Sequence, residues 1–479
     1  MAKALGTKAR GRIGLAAGLW AAALPGTALA ANTAHAAHTD AAANAAETAR
    51  AKEVLMRSIG FETSEGKGQV PALAAYYASI LKQAGFADGD IVITPMGETA
   101  TLAATIKGSD PKLKPLLVNG HMDVVAANKA DWTRDPFVAV EENGYIFGRG
   151  ADDNKYDVAM MVSTFAKLKA EGFRPKRTLI LALTGDEETH MRTAKAMAET
   201  YKNSEMVLNG DGGGGVFDDE WKPVVYTIQA GEKTYADFDL TFTDPGGHSS
   251  QPTPTNPIYR LARALDRLAA YQFAPMSNEL TRASLTAQAK KTEGEVGKAM
   301  ARYAADPKDM EAAAILSAQP DQVGKVRTTC VATTAQAGHA LNALPQRASV
   351  NINCRIFPGV SIETVKAELT KVIADDGGTL SVVDDPTASD ASPLRKDLMA
   401  AVTKAVHARY PGLEIVPGMS TGATDSLYFR AQGIPSYGVA TLFSKPNDSF
   451  AHGLNERAPV AGIGASLDQW HMMITALAK

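Results

Sequence analysis

The sequence predicts an α/β fold with a mostly parallel central sheet, interrupted by a smaller α+β domain of ferredoxin-like plan. Three observations lead there. Short aliphatic runs closed by glycine ("LLVNG", "TLILALTG", "EMVLNG") alternate with helical stretches ("VAMMVSTFAKLKAEGF", "TAKAMAETYK"), as strands buried on both faces alternate with their crossovers. From Gly231 the apolar residues fall at every second position, the period of a half-exposed strand. After Asp385 the first texture returns.

Each element follows in order. With 479 residues, 45% of them apolar, the chain has room for two or three sizeable cores. Residues 1–30 read as a signal peptide: Lys3, Lys8, Arg10 and Arg12 form a basic head, "IGLAAGLWAAALPG" the apolar core, and Ala28-Leu29-Ala30 the cleavage site. The apolar stretch is too short to span a bilayer comfortably, and no cysteine follows the cleavage site to carry a lipid. The expectation is an exported, soluble protein without a membrane anchor, periplasmic or secreted. Residues 31–46 read as an Ala-rich linker, and 47–230 as the first part of the main domain, opening with the helical "VPALAAYYASILKQAGF". Residues 231–386 give strand ("KTYADFDLTFTDPGG"), helix ("PIYRLARALDRLAAY"), two strands ("KVRTTCVATTAQAG", "RASVNINCRIFPG"), helix ("SIETVKAELTKVIADD") and strand ("TLSVV"). That order is the split βαβ plan, with a charged helical insertion at 277–320. Residues 387–479 return to the main domain through the helix "LRKDLMAAVTKAVHARY", the segment "PGMSTGATDS", the strand-like "IPSYGVATL" and a closing helix.

A net charge of −3 with no long basic block excludes nucleic acid as the expected partner. The two cysteines are Cys330 and Cys354. Composition alone allows a bridge or two buried thiols. If the two strands that carry them form one hairpin turning at Asn342, they stand opposite each other, and export then favours a disulfide.

Ligands of open α/β sheets bind beyond the carboxyl ends of the strands. Here the run ending at Gly120 leads into His121 and Asp123, "TLILALTG" into Asp186, Glu187 and Glu188, and "EMVLNG" into Asp211. "GRGADDNKYD" adds Asp152 and Asp153, and "FAHGLNER" adds His452. Taken singly, an acid after a strand is as often a helix cap as a ligand. Together, carboxylates clustered around imidazoles repel one another unless a cation compensates them. Two imidazoles, three or more carboxylates and no thiolate suit catalytic Zn²⁺, with Co²⁺ or Mn²⁺ as substitutes. Of the nine histidines, His35, His38, His407 and His471 read as surface or structural, and His190 and His339 as ambiguous. His121, His248 and His452 sit in Gly-flanked loops with polar company.

The segments "GHMDVV", "GRGADDNK", "GDEE", "LNGDGG", "GGHSS", "NCRIFPG", "STGATD" and "HGLNER", in this order, resemble the dinuclear zinc peptidase family M20 over nearly the whole mature chain. That family includes glutamate carboxypeptidases, aminoacylases and dipeptidases. The resemblance implies a metal-binding catalytic domain and a lid that serves for dimerisation. It assigns His121, Asp153, Glu188, Asp211 and His452 as ligands of two Zn²⁺ ions, with Asp153 bridging them. Asp123 then orients His121, Glu187 acts as general base, and His248 stabilises the developing oxyanion from a partner subunit of a homodimer. Arg355 receives a substrate carboxylate, and Asn342, Gly422 and Thr424 are further candidate substrate contacts. Two departures, Tyr156 and His190 where the family commonly has glycine, bear on loop shape and remove no ligand.

The implied activity is hydrolysis of the amide bond of small peptides, of dipeptidase or carboxypeptidase type, by a metal-activated water. The alternative substrate is an N-acyl amino acid. A rival of another class is an exported, metal-dependent binding protein that does no chemistry, which would most naturally lack the free base at Glu187.

Overall fold

The aliphatic runs do form strands, and the glycines that close them make room for a helix. A Cβ on Gly120 would stand 2.8 Å from Asn154 Oδ1 and 2.9 Å from Val158 Cγ2, and one on Gly210 would stand 2.0 Å from Met161 Cε. All three neighbours belong to the turn and helix at Lys155–Ala170 that cross this end of the sheet.

The computed structural model describes residues 31–445, 448 and 450–479, with side chains from residue 44 onward. The chain divides into Met1–Ala46 and Glu47–Lys479. In the first unit residues 31–46 are helical, part of the helix Ala31–Ile59, where the sequence predicts a linker. Alanine has the highest helix propensity of all residues, which accounts for the difference. The leader expected over residues 1–30 lies outside the described residues. No described helix is long and apolar enough to cross a membrane.

In the second unit, a ten-stranded mixed sheet has four parallel strands at its middle, in the order Leu179–Thr184, Leu116–His121, Met206–Asn209 and Ser436–Gly438. One side of these is flanked by the antiparallel hairpin Ile91–Met96 and Thr99–Ile106. The other is flanked by Pro223–Glu232, which pairs with Gly214–Phe217 and, in parallel, with Ile415–Ser420. Both faces of the middle strands are buried, as continuous aliphatic runs require. Leu116, Val118 and Leu181 pack with Phe165 and Trp470 on one face, and Leu117, Ile180 and Ala182 with Met197 and Phe429 on the other. Each of the leucine, isoleucine, valine, methionine and phenylalanine side chains contributes about 1.5–3 kcal/mol relative to exposure.

The inserted segment makes a second, fully antiparallel sheet in the order Thr329–Ala337, Arg347–Ile356, Thr234–Thr243 and Gly378–Val383. The helices Pro257–Ala270 and Ile362–Ile373 cover one face, where Phe238, Leu240, Ile352, Leu261 and Leu369 form a core. The alternating residues Tyr235, Asp237 and Arg355 point the opposite way. This is the ferredoxin-like plan. The predicted helical insertion is Glu279–Ala289, Gly294–Ala305 and Met310–Ser317, with its own core around Leu285, Met300, Tyr303 and Leu316. Cys330 and Cys354 stand directly opposite in the ladder, with Cα atoms 4.1 Å apart, and form a disulfide. The chain passes from the large sheet to the lid sheet at Lys233, between Pro223–Glu232 and Thr234–Thr243.

Candidate metal centre

The parallel strands deliver their polar ends to one rim. His121 closes its strand almost completely buried, with Nδ1 3.1 Å from the backbone carbonyl of Asp123 and Nε2 3.0 Å from Asp153 Oδ1. A carbonyl oxygen can only accept, so Nδ1 carries the hydrogen. In the neutral ring Nε2 is then a bare lone pair aimed at a carboxylate oxygen. His452, from the loop before Arg457–Pro459, has its Nε2 3.0 Å from Glu188 Oε1 and 3.2 Å from Asp153 Oδ2. Asp153 thus presents one oxygen to each imidazole. Asp211 Oδ2 lies 4.0 Å from His121 Nε2. Ligand atoms of His121, Asp153 and Glu188, and of His121, Glu187 and Asp211, each fall within 4.8 Å of one another.

Acceptors facing acceptors at 3 Å repel unless a cation lies among them, so the donor set fits a metal. Both cysteines of the chain are in the disulfide, so no thiolate is available and the rim offers nitrogen and oxygen donors. With no cation among them, the same contacts are satisfied only by protonated imidazoles, and the titration of the groups shows this. Hydrogen bonds to Asp153 and Glu188 raise His452 to about 10. Burial alone would lower His121, but its bonds to Asp123 and Asp153 outweigh burial and hold it well above its usual value. Asp153 is held below the carboxylate range, because the two imidazoles outweigh its burial. Burial, and then the neighbouring charge of Asp211, pushes Glu187 well above the usual carboxylate value. Burial and then Asp153 do the same to Asp211.

Two carboxylates shape the rim from behind. Asp123 lies with Oδ1 3.5 Å from His121 Nδ1, and it also accepts the backbone amides of Glu187 (3.1 Å) and Glu188 (3.0 Å). Its two oxygens therefore set the acidic loop as well as the ring. Glu456, fully buried, was not singled out from the sequence. It accepts the amides of Gly150, Asp152 and Asp153 and the Arg149 guanidinium, and so holds the turn that projects Asp153. Arg149 in turn donates to the carbonyl of His452. Asp186 caps the helix Arg192–Thr200 through the amides of Arg192 and Thr193. Asp425 lies buried beneath the rim, where Asn119 and Thr184 donate to it and burial raises it to about 6.

Asp153, Glu187, Glu188, Asp211 and His452 open on a cleft of about 800 Å³ whose far wall is the lid face with Tyr235 and Arg355. Arg355 stacks over the Tyr235 ring at 4.6 Å, and Gly422 lines the same cleft. Three sequence-derived candidates lie elsewhere. Thr424 is buried, its hydroxyl donating to Glu232 and accepting from the Ser426 amide, because neighbouring residues of the loop point to opposite sides. Asn342 is exposed at a turn, its carbonyl accepting the Ser249 amide, and is off the cleft wall of its own chain. The short pairing of Gly247–His248 with Ala343–Leu344 carries it, and His248 with it, away from the rim. His248 is likewise exposed and off that wall. Of the two departures, Tyr156 is absorbed into the core with its hydroxyl 3.0 Å from Ser466, and His190 meets Glu65 at the surface.

A mixed α/β sheet with an inserted lid and an acid–imidazole rim defines a metal-dependent hydrolase. The chain belongs to peptidase family M20/M25/M40, whose family model matches residues 117–476. It is 30% identical over 378 residues to the N-fatty-acyl-amino acid synthase/hydrolase PM20D1 of Mus musculus, covering 74% of this chain and 73% of that one. Among solved structures it resembles the M20 family metallo-carboxypeptidase Sso-CP2 from Sulfolobus solfataricus, with a TM-score of 0.66, 19% identity and coverage of 89% and 99%. It also resembles the di-peptidase Dug1p from Saccharomyces cerevisiae, with a TM-score of 0.65, 17% identity and coverage of 91% and 97%. The chain is thus a hydrolytic enzyme, and the reading as a binding protein without chemistry is set aside.

Proposed function

We propose that the protein is an exported hydrolase with two Zn²⁺ ions that cleaves the amide bond of a small peptide bearing a free carboxylate. The observation that carries this reading is Asp153, whose two oxygens face two different histidines, with Glu187 beside them outside that pairing. His121 and Asp211 would hold one ion, Glu188 and His452 the other, and Asp153 both. The chemistry supplied by bound zinc is a water acidified toward neutrality and a polarised scissile carbonyl. Glu187 would accept the proton of an attacking water and hand it to the leaving amine, a role that a carboxylate raised by burial suits. Arg355 receives the substrate carboxylate on the far wall.

An N-acyl amino acid is the second reading, supported by the relative from Mus musculus, which is named for N-fatty-acyl-amino acids. Zinc-loaded protein incubated with a panel of dipeptides and N-acyl amino acids, with assay of released amine, tests both. Release from dipeptides alone or from acyl substrates alone selects one reading, and no release from any overturns the proposal. Export is supported by the leader-like residues 1–30 and by the disulfide, which an oxidising compartment preserves.

The proposal extends to a homodimer in which His248 serves the neighbouring site. The Ser250 amide donates to His248 Nδ1, which leaves Nε2 with the hydrogen, a donor directed outward and suited to an oxyanion. Subunit exchange between inactive His248→Ala and inactive Glu187→Ala should restore activity, since one site of the mixed dimer then carries neither lesion. No recovery despite verified exchange would rule out sharing.

A further inference from the structure

Lys233, at the crossing between the two sheets, is fully buried. Its Nζ donates to the Arg327 carbonyl (2.9 Å) and the Thr329 hydroxyl (3.1 Å), and among the described residues no carboxylate forms an ion pair with it. Arg355 stands directly opposite Thr329 in the lid ladder. It also lacks a carboxylate at ion-pair distance among the described residues, donating instead to the Thr421 carbonyl at 3.4 Å. Asp237, on the same lid face, has its oxygens taken up by the Tyr235 hydroxyl and the amides of Asn351 and Asn353. The backbone of Lys233 donates to Ser420, so the two cationic residues grip consecutive carbonyls of the segment that leads to Gly422 in the cleft.

A buried ammonium without a counter-ion is costly, and an anion bound nearby offsets part of that cost. Burial, and then the charge of Arg355, depresses Lys233 to about 7, as expected of two cations that share one corner. The metal-holding acids Asp153, Glu188 and Asp211 belong to the rim of the large sheet, whereas of the acids on the lid side Asp237 is occupied by its three donors and Asp385 by Lys195.

We propose that Lys233 is a positioning residue for substrate: with Arg355 it makes the lid end of the cleft an anion-binding corner and restricts the enzyme to amides with a free carboxylate beside the scissile bond. The inference rests on the amide-hydrolase reading above. Lys233 does not touch substrate. It acts by adding its charge behind Arg355 and by fixing the Ser420–Thr421 backbone.

The test uses the full zinc-loaded chain and matched substrates, a dipeptide or N-acyl amino acid and its C-terminal carboxamide. Lys233→Gln keeps the hydrogen-bond donors and removes the charge. It should reduce the preference for the free acid by on the order of tenfold, through KM of the acid, with kcat, KM of the carboxamide and zinc content unchanged. Lys233→Met removes donors and charge together and should show at least the same loss. A purely structural peg would spare both substrates in the Gln variant and weaken both alike in the Met variant, and either pattern overturns the proposal. Arg355→Gln separates the two layers of the argument. If the unaltered enzyme treats acid and carboxamide alike, the carboxylate reading itself fails. If it prefers the acid, and that preference survives both Lys233 variants but not Arg355→Gln, only the role of Lys233 fails.

Discussion

Replacing Glu456 by glutamine should strip metal from a site that Glu456 never touches. Its Oε1 accepts the amides of Asp152 (2.8 Å) and Asp153 (3.0 Å), and its Oε2 accepts Gly150 N (3.0 Å) and Arg149 Nη1 (2.6 Å). A glutamine side chain fits the space but offers one acceptor oxygen. If that oxygen stays on the Asp153 turn, the amide nitrogen meets two donors and Arg149 loses its buried partner. Two bonds to a charged group at about 1.5–3 kcal/mol each come to about 3–6 kcal/mol. The local turn can relax to escape most of this, and doing so moves Asp153 out of reach of His121 and His452. A fraction of about 3 kcal/mol transferred to the ligand geometry weakens binding by on the order of a hundredfold. Zinc retained after dialysis against graded chelator reads the effect, and thermal unfolding of the metal-free protein reads the structural share. Retention within twofold of the unaltered protein would refute the claim that this carboxylate builds the site.

Three further outcomes are expected. Glu187→Gln should retain zinc while turnover falls by on the order of 10²–10⁴, whereas His121→Ala and His452→Ala should lose metal by elemental analysis; loss of zinc in the Gln variant would mean that Glu187 ligates. Asp157, raised by burial from 3.8 to about 6, holds a proton in the folded state that the unfolded state releases, so its contribution falls as pH rises between about 4 and 6, by up to ~3 kcal/mol. Asp157→Asn keeps the acceptor for Thr441 and Trp470 and should gain on the unaltered chain across that window in urea unfolding, while parallel curves would refute the assignment. Replacing Cys330 and Cys354 by serine opens a cross-link of sequence separation 24 and should cost about 3 kcal/mol of lid stability, unless alkylation of the native protein labels two thiols and shows that no bridge was there.

The strand-end rule found His121, Asp123, Glu187, Glu188 and Asp211 because each follows a run whose period and length identify it as a buried strand. The strands of the lid were legible in their period-two alternation, and the opposition of Cys330 and Cys354 in their equal distance from a turn at Asn342. Other features left little local trace. The hairpin of Ile91–Met96 and Thr99–Ile106 carries threonines and alanines and merges with its surroundings. Glu456 sits in "HGLNER", where an acid between polar neighbours looks solvated, and only the approach of the Gly150–Asp153 turn buries it. Lys233 is similar: burial of a lysine is decided by Arg327 and Thr329, almost a hundred residues away in sequence. Thr424 shows the reverse error, since membership of a cleft-lining segment says nothing about which side a given residue faces.

The disulfide closes entirely within the lid sheet, and neither of its strands supplies a residue to the acid–imidazole rim. Chain made in a reducing cytosol would therefore assemble the metal-holding end from the same strands and loops as oxidised chain. Such material would pass purification by metal content and by spectroscopy of the large sheet, yet carry an unclamped strand beside Arg355. Batches that differ only in oxidation would then disagree in KM while agreeing in metal. A thiol count belongs beside the metal assay whenever preparations of this enzyme are compared.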